Sequence, residues 1–312
     1  MRRDQPWRQE REKDGSFMPG TCTSRRALRR LAAITAAGAA LVTLAAPAAA
    51  AADSASASVG SSQVTCTSRQ PKLAARLSQD IADALRGSRG SSALALYDRP
   101  TDTSCTFRGD ATFDSASVVK VTVLGALLRK ATAEHRGLTP AEVDLTTAMI
   151  TKSDNDATSA LWREVGHKDI QRFLSLAGMW HTVPGPQGLW GHTQITADDQ
   201  LQLLRILTSD NSVLDRNARS YVLGLMNRVI PDQRWGVPAG VSGTATVHVK
   251  NGWLPRATNG WRVHSIGAFT GGGHDYAIVV LSHDNRSMKE GIATIESAAG
   301  VINRDLPPPP TA

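Results

Sequence analysis

Apolar residues recur every four positions at Leu73, Leu77, Ile81 and Leu85. That spacing lines one face of an α-helix, which Gly87 and Gly90 end. Two short apolar runs follow at 92–98 (SALALYD) and 104–108, and they predict strands joined by a turn at Pro100 and Asp102. From 117 to 229 the period is mostly helical, with loops expected at 137–140, 166–168, 179–194 and 209–212. The period then falls to two: 246–253, 264–270 and 276–283 predict three strands, the last two joined at Gly271-Gly272-Gly273. Strands at both chain ends with helices between them predict an α/β (α+β) fold. Its antiparallel sheet is built from both ends and flanked by helices, and an all-helical lobe is inserted. The sheet lobe would comprise 63–116 and 230–304, the helical lobe 117–229, with a small-molecule site in the cleft between them.

The first 52 residues follow another pattern. An uncharged, alanine-rich run from 31 to 52 follows the cluster Arg25, Arg26, Arg29, Arg30, and Ala-x-Ala sites lie between 48 and 52. This is the order of an export signal, with cleavage expected near residues 50–52 and a secreted or extracytoplasmic product. A permanent membrane anchor is the competing reading. Alanine is weakly lipophilic and no charge stops transfer beyond the run, so no stable anchor is expected. Ser24-Arg25-Arg26 opens a partial twin-arginine motif, which leaves the export route open, and Met18 would begin a leader of ordinary length. Residues 53–62, rich in Ser and Ala, read as a solvated linker, and the proline-rich 305–312 as a tail that does not pack.

Composition changes little and charge changes more. The chain has 312 residues and a formal net charge of +7. Residues 1–52 hold nine bases and four acids, which leaves 26 bases and 24 acids for the rest. The basicity therefore belongs to the leader, and a nucleic-acid partner loses its main support. Of three cysteines, Cys22 falls in the leader and no lipobox precedes a cysteine at the cleavage site. Cys66 and Cys105 remain as an even pair in an oxidising compartment, a disulfide candidate, with two buried thiols as the alternative.

Three motifs carry possible chemistry. Ser117-Val118-Val119-Lys120 opens the run VTVLGALLRKA. Positions i and i+3 share a helical face, so the Lys120 amine is within reach of the Ser117 hydroxyl. The helix is apolar on nearly every side, and burial lowers a lysine's pKa until it can serve as a base towards a serine. A capped helix with a snorkelling lysine would look the same. Ser153-Asp154-Asn155 offers a hydroxyl for proton relay and an amide for a substrate carbonyl, with Asp154 bracing the turn. A second Ser-Asp-Asn at 209–211 reads as an ordinary break between helices. In Lys250-Asn251-Gly252-Trp253 the lysine alternates with Val247 and Val249, so it points away from the core face. It suits a substrate carboxylate, and Gly252 permits close backbone approach; a solvated lysine before an Asn-Gly turn is the alternative.

In this order, and over 63–304, the chain resembles the class A β-lactamases and penicillin-binding proteins. The resemblance implies Ser117 as nucleophile, Lys120 as base or proton shuttle and Ser153 as relay. It implies substrate contacts at Asn155, Lys250, Asn251 and Gly252, and an oxyanion hole from the backbone N–H groups of Ser117 and Trp253. It also implies a β-lactam or peptidoglycan-like peptide as the small-molecule partner. The eight histidines lack metal-ligand spacing such as His-x-His or His-Glu-x-x-His, so no metal is expected, nor a cofactor or nucleic acid, and a monomer is expected.

Three departures qualify that likeness. Ser117 and Ser153 are separated by 36 residues, fewer than in typical class A enzymes, so a more open cleft is expected. Asn251 stands where a Thr or Ser is usual, and an amide cannot relay a proton as a hydroxyl does. The loop 180–195 (WHTVPGPQGLWGHTQI) contains no Asp or Glu, where class A enzymes carry the glutamate that activates the deacylating water. Glu164 and Asp198 flank it without replacing it, and His181, Gln187, His192 and Gln194 are its polar groups. Weak or absent β-lactam turnover is therefore expected. A D-Ala-D-Ala-type peptidase, esterase or acyltransferase using the same serine is an alternative, as is a non-catalytic cell-wall binding protein.

Overall fold

The computed structural model describes residues 52–258 and 260–306. The leader's expected features before residue 52, Cys22 among them, lie outside the described residues. In chain order the elements are β1 (Asp53–Val59), β2 (Ser62–Ser68), α1 (Leu73–Arg86), β3 (Ser91–Asp98), β4 (Thr103–Phe107), β5 (Phe113–Asp114), α2 (Val119–Ala133), α3 (Pro140–Thr151), α4 (Asn155–Ala177), β6 (Gln194–Ile195), α5 (Ala197–Thr208), α6 (Arg216–Asn227), β7 (Thr246–Pro255), β8 (Trp261–Gly271), β9 (His274–Asn285) and α7 (Met288–Asp305).

Seven strands form one antiparallel sheet in the order β1-β2-β4-β3-β9-β8-β7, and β5 pairs with β6 separately. Both faces of the large sheet are covered, so its central strands read as continuous apolar runs. In β9, Ile278 and Val280 join the core beneath α1 and α7, while Ala277, Val279 and Leu281 join the core of the helical lobe. In β3, Leu94 and Leu96 face α1 and α7, and the small residues Ala93 and Ala95 face the helices of the lobe.

Two expected boundaries are corrected. Residues 53–59 are not a linker: β1 pairs with β2 along its whole length, from Asp53↔Ser68 to Val59↔Ser62. Ala55, Ala57 and Val59 alternate with serines and pack against the α1 side, a period of two hidden by a low-complexity composition. Gly60, at φ 59°, makes the tight turn into β2. At the other end Leu306 is buried, and Asp305 O accepts from Arg76 Nη2 at 2.8 Å, so the fold extends past 304. Residues 307–312 lie outside the described residues.

Cys66 and Cys105 face each other across the β2–β4 pair and form a disulfide. The helical period breaks where glycine predicted it would: α4 is interrupted at Gly166, whose φ of 76° lies outside the helical region. The second Ser-Asp-Asn is a local turn, with Asn211 Nδ2 donating to Ile206 O and Ser209 O. Among the described residues no helix is long and apolar enough to cross a membrane.

Candidate active site

Ser117 sits in the turn Ala116–Val118 that leads into α2. Ala116 takes φ 46°, a left-handed conformation costly for a residue with a side chain. Ser115 ties this turn to the loop before β6, its N–H donating to Thr193 O at 2.8 Å and its hydroxyl to Trp190 O at 3.4 Å. Behind the turn, the apolar residues of α2 are buried on every side, which draws Lys120 out of water completely.

Burial lowers the Lys120 pKa to about 7, against a smaller upward pull from Asp154. Its Nζ donates to Ser153 O at 2.6 Å, to Asn155 Oδ1 at 2.8 Å and to Ser153 Oγ at 3.1 Å. Among the described residues none of its hydrogen bonds goes to Ser117. The i, i+3 spacing places the pair on one face, but three oxygens of the 153–155 segment satisfy a buried ammonium better than one half-buried hydroxyl. Ser153 itself takes φ 57°. Asp154 caps α4 by accepting from Ala157 N at 2.7 Å. Asn155, exposed, engages Lys120 through its Oδ1.

From the edge of the sheet, β7 brings a second lysine to the same hydroxyl. Lys250 turns away from the core under α1 and α7, as its alternation with Val247 and Val249 predicts, but not into water. The helical lobe covers it, and it is fully buried. Its Nζ donates to Ser153 Oγ at 2.9 Å and to Asn251 O at 2.9 Å. Burial, then the charge of Lys120, holds its pKa well below the ordinary lysine value.

Asn251 does not face the cleft. It is fully buried, and its Nδ2 donates to Gln233 O and Trp235 O, both at 2.9 Å. Successive strand residues point to opposite faces, so a Lys250 directed at Ser153 sends its neighbour the other way. The amide staples the segment before β7, and the expected substrate contact by Asn251 is corrected to that role. Gly252 lies against the Ser117 turn: a Cβ there would stand 2.7 Å from Ser117 N and 2.9 Å from Val118 N. Trp253 is half-buried beside it, its ring 6.0 Å from that of Trp235.

The acid-free loop contributes a residue that no sequence pattern singles out. Lys120 Nζ lies 4.9 Å from the centroid of the Trp190 ring, whose Nε1–H donates to Ser159 Oγ at 3.1 Å. A tryptophan in a loop without periodicity carries no signal of its target, and this loop has two, Trp180 and Trp190. The loop's other polar groups are engaged elsewhere: Gln194 Nε2 donates to Asp114 Oδ1 at 2.7 Å, His192 Nε2 accepts from Arg256 at 2.8 Å, and His181 is exposed beside Asp199. The side chain of Gln187 lies outside the description. Beneath the site, Asp114 pairs with Arg262 at 3.1 Å and Arg256 at 3.3 Å. Its carbonyl accepts from His264 Nε2 at 2.8 Å. Burial lowers the His264 pKa to about 4.

A sheet made from both ends of the described chain, an inserted helical lobe, and two buried lysines that meet on Ser153 Oγ define the β-lactamase-like class of serine hydrolase folds. A family model described as the beta-lactamase enzyme family matches residues 136–306, more than half of the chain. The chain belongs to that family. It is similar to LppW of Mycobacterium tuberculosis, a protein named as a lipoprotein, at 24% identity over 212 residues, covering 66% of this chain and 67% of that protein. Among solved structures it resembles a class A beta-lactamase from Bacteroides cellulosilyticus, with a TM-score of 0.66 at 15% identity over 76% of this chain and 99% of that one. A beta-lactamase from Sphaerobacter thermophilus gives 0.64 at 19% identity, covering 74% and 98%. PBP-A gives 0.62 at 18% identity, covering 73% and 94%.

Proposed function

We propose that this chain is an extracytoplasmic active-site-serine hydrolase that is acylated at Ser117 by a β-lactam or a peptidoglycan-like peptide and releases the acyl group slowly. The observation that carries the reading is the convergence of Lys120 and Lys250 on Ser153 Oγ, at 3.1 and 2.9 Å. Two buried amines with lowered pKa values cannot both hold a proton cheaply beside one hydroxyl. The neutral one is a base, and Ser153 is the bridge along which a proton travels. Ser117 Oγ attacks the acyl carbon as the carbon–nitrogen bond of the donor breaks. The hydroxyl proton passes through Lys120 and Ser153 to the departing nitrogen. The N–H groups of Ser117 and Trp253 would receive the oxyanion, a role supported by how closely Gly252 lets β7 approach Ser117 N. Asn155, which is exposed, supplies a contact for the substrate's carbonyl, and Lys250, which has no exposed surface, acts on the substrate's carboxylate through Ser153 Oγ.

Slow release is supported by the loop 180–195, which contains no carboxylate. A solved structure of a PBP-A mutant as an acyl-enzyme complex with penicillin G, at 19% identity to this chain, is in keeping with acylation. The leader pattern and the Cys66–Cys105 disulfide support export, as does the lipoprotein name of LppW. The test is labelling of the full chain with a fluorescent penicillin against Ser117→Ala. Label is expected on the wild-type protein alone; labelling that survives the substitution overturns the assignment.

A further inference from the structure

Trp190 is fixed on both sides of the cleft. Its indole N–H donates to Ser159 Oγ at 3.1 Å, and that hydroxyl donates in turn to Asn155 O at 2.9 Å, on the first turn of α4. Its backbone carbonyl accepts from Ser115 Oγ at 3.4 Å, on the side of the Ser117 turn, and from Thr193 N at 3.1 Å within its own loop. Between these anchors the ring lies over Lys120 Nζ, 4.9 Å from its centroid. Lys120 Nζ is thus enclosed by Ser153 O, Ser153 Oγ, Asn155 Oδ1 and an aromatic face, and the residue has no exposed surface. A base that activates water needs that water within hydrogen-bond reach, about 2.6–3.2 Å between heavy atoms. An aromatic face occupies the space without offering water a conventional partner.

We propose that Trp190 is a positioning residue that excludes water from Lys120 and so makes an ester on Ser117 long-lived; this rests on the reading that Ser117 is acylated. The two half-reactions differ in what they require. Forming the ester consumes the Ser117 hydroxyl and releases the donor's nitrogen, with the proton moving through Lys120 and Ser153, and no water takes part. Losing the ester requires a water oxygen to add to the acyl carbon. One water proton goes to the base and on to Ser117 Oγ as the ester C–O bond breaks, and a free acid leaves. A plate over Lys120 therefore retards the second step and spares the first.

The experiment loads the full chain with benzylpenicillin, removes the excess and follows the Ser117 adduct by intact mass, for wild type, Trp190→Ala and Trp190→Phe. In Trp190→Ala the adduct is expected to decay at least about tenfold faster, with the acylation rate within about threefold of wild type. Trp190→Phe, which keeps an aromatic plate, is expected to restore slow decay. Wild-type decay in Trp190→Ala, or an acylation rate that falls as far as the decay rises, overturns the inference. If circular dichroism shows Trp190→Ala unfolded, Ser159→Ala decides, since it removes the indole anchor and, besides it, only the hydroxyl's own bond to Asn155 O. Several-fold faster decay is then expected, and wild-type decay overturns the inference. No adduct on the wild-type chain overturns the acylation reading and this inference with it, whereas an adduct of equal lifetime in every variant overturns this inference alone.

Discussion

Lys250 Nζ and Ser153 Oγ stand 2.9 Å apart although 97 residues separate them in the chain. One belongs to an edge strand of the sheet and the other to the loop that opens α4, so this hydrogen bond joins the two halves of the molecule. Lys120 shares the same hydroxyl. Ser153→Ala leaves two buried amines without it. Stability is expected to fall by about 1–3 kcal/mol and the acylation rate by about 10²–10⁴-fold. Urea denaturation and the rate of penicillin labelling measure the two effects separately.

The acylation rate should follow the neutral fraction of Lys120. With its pKa lowered to about 7 by burial, the amine is protonated below that value and a free base above it. The second-order labelling rate is expected to rise with pH between about 5 and 7 and to level off near 8. Lys120→Met should abolish the rise. A rate that peaks at acid pH would contradict the base assignment.

Gly252→Ala tests the approach of β7 to Ser117. The added methyl meets Ser117 N at 2.7 Å and Val118 N at 2.9 Å, both backbone atoms that cannot step aside alone. The turn must shift, at a cost of about 1–3 kcal/mol for overpacking. Acylation is expected to slow by more than the loss of stability suggests, because Ser117 N is itself displaced. Thermal melts beside labelling rates give the comparison.

His264 gives the fold an acid limit. Burial places its folded pKa near 4, below the unfolded value of 6.5. Between those pH values the unfolded chain takes up a proton that the folded chain refuses. Stability from this group is therefore complete above pH 6.5 and is lost as pH falls towards 4, by about 3 kcal/mol in all. His264→Gln is expected to flatten that part of the Tm–pH profile.

The Cys66–Cys105 bridge closes a loop of 39 residues between paired strands. Reduction is expected to lower stability by about 3–4 kcal/mol under the chain-entropy model. A denaturant midpoint unchanged by reductant would show that the sheet edge holds without it.

The sequence made different parts of the fold legible to different degrees. The four-residue period of α1, the alternation in β7 and the glycine turn before β9 are local signals, and each element formed where its pattern lay. β1 was hidden because Ser and Ala alternation has little contrast, and only pairing with β2 and cover from α1 give its small residues a buried side. At the site, Ser117, Lys120, Ser153 and Lys250 could be named because each sits in a short motif. Asn251 could be named too, but its orientation could not be seen, and the backbone carbonyls of Gln233 and Trp235 take its amide. Trp190 could not be found at all, since a loop residue's target is decided by where the loop is tied down.

By itself the sequence determined the period of each segment, the residue types available for chemistry and their order along the chain. These depend on neighbours within a turn or two. Tertiary structure decided which groups meet: that Lys120 turns to Ser153 rather than to Ser117, that Lys250 is sealed rather than solvated, and that an indole lies over Lys120. The reason is that burial and hydrogen-bond competition are set by the surfaces that close over a residue, and those surfaces come from chain segments tens of residues away.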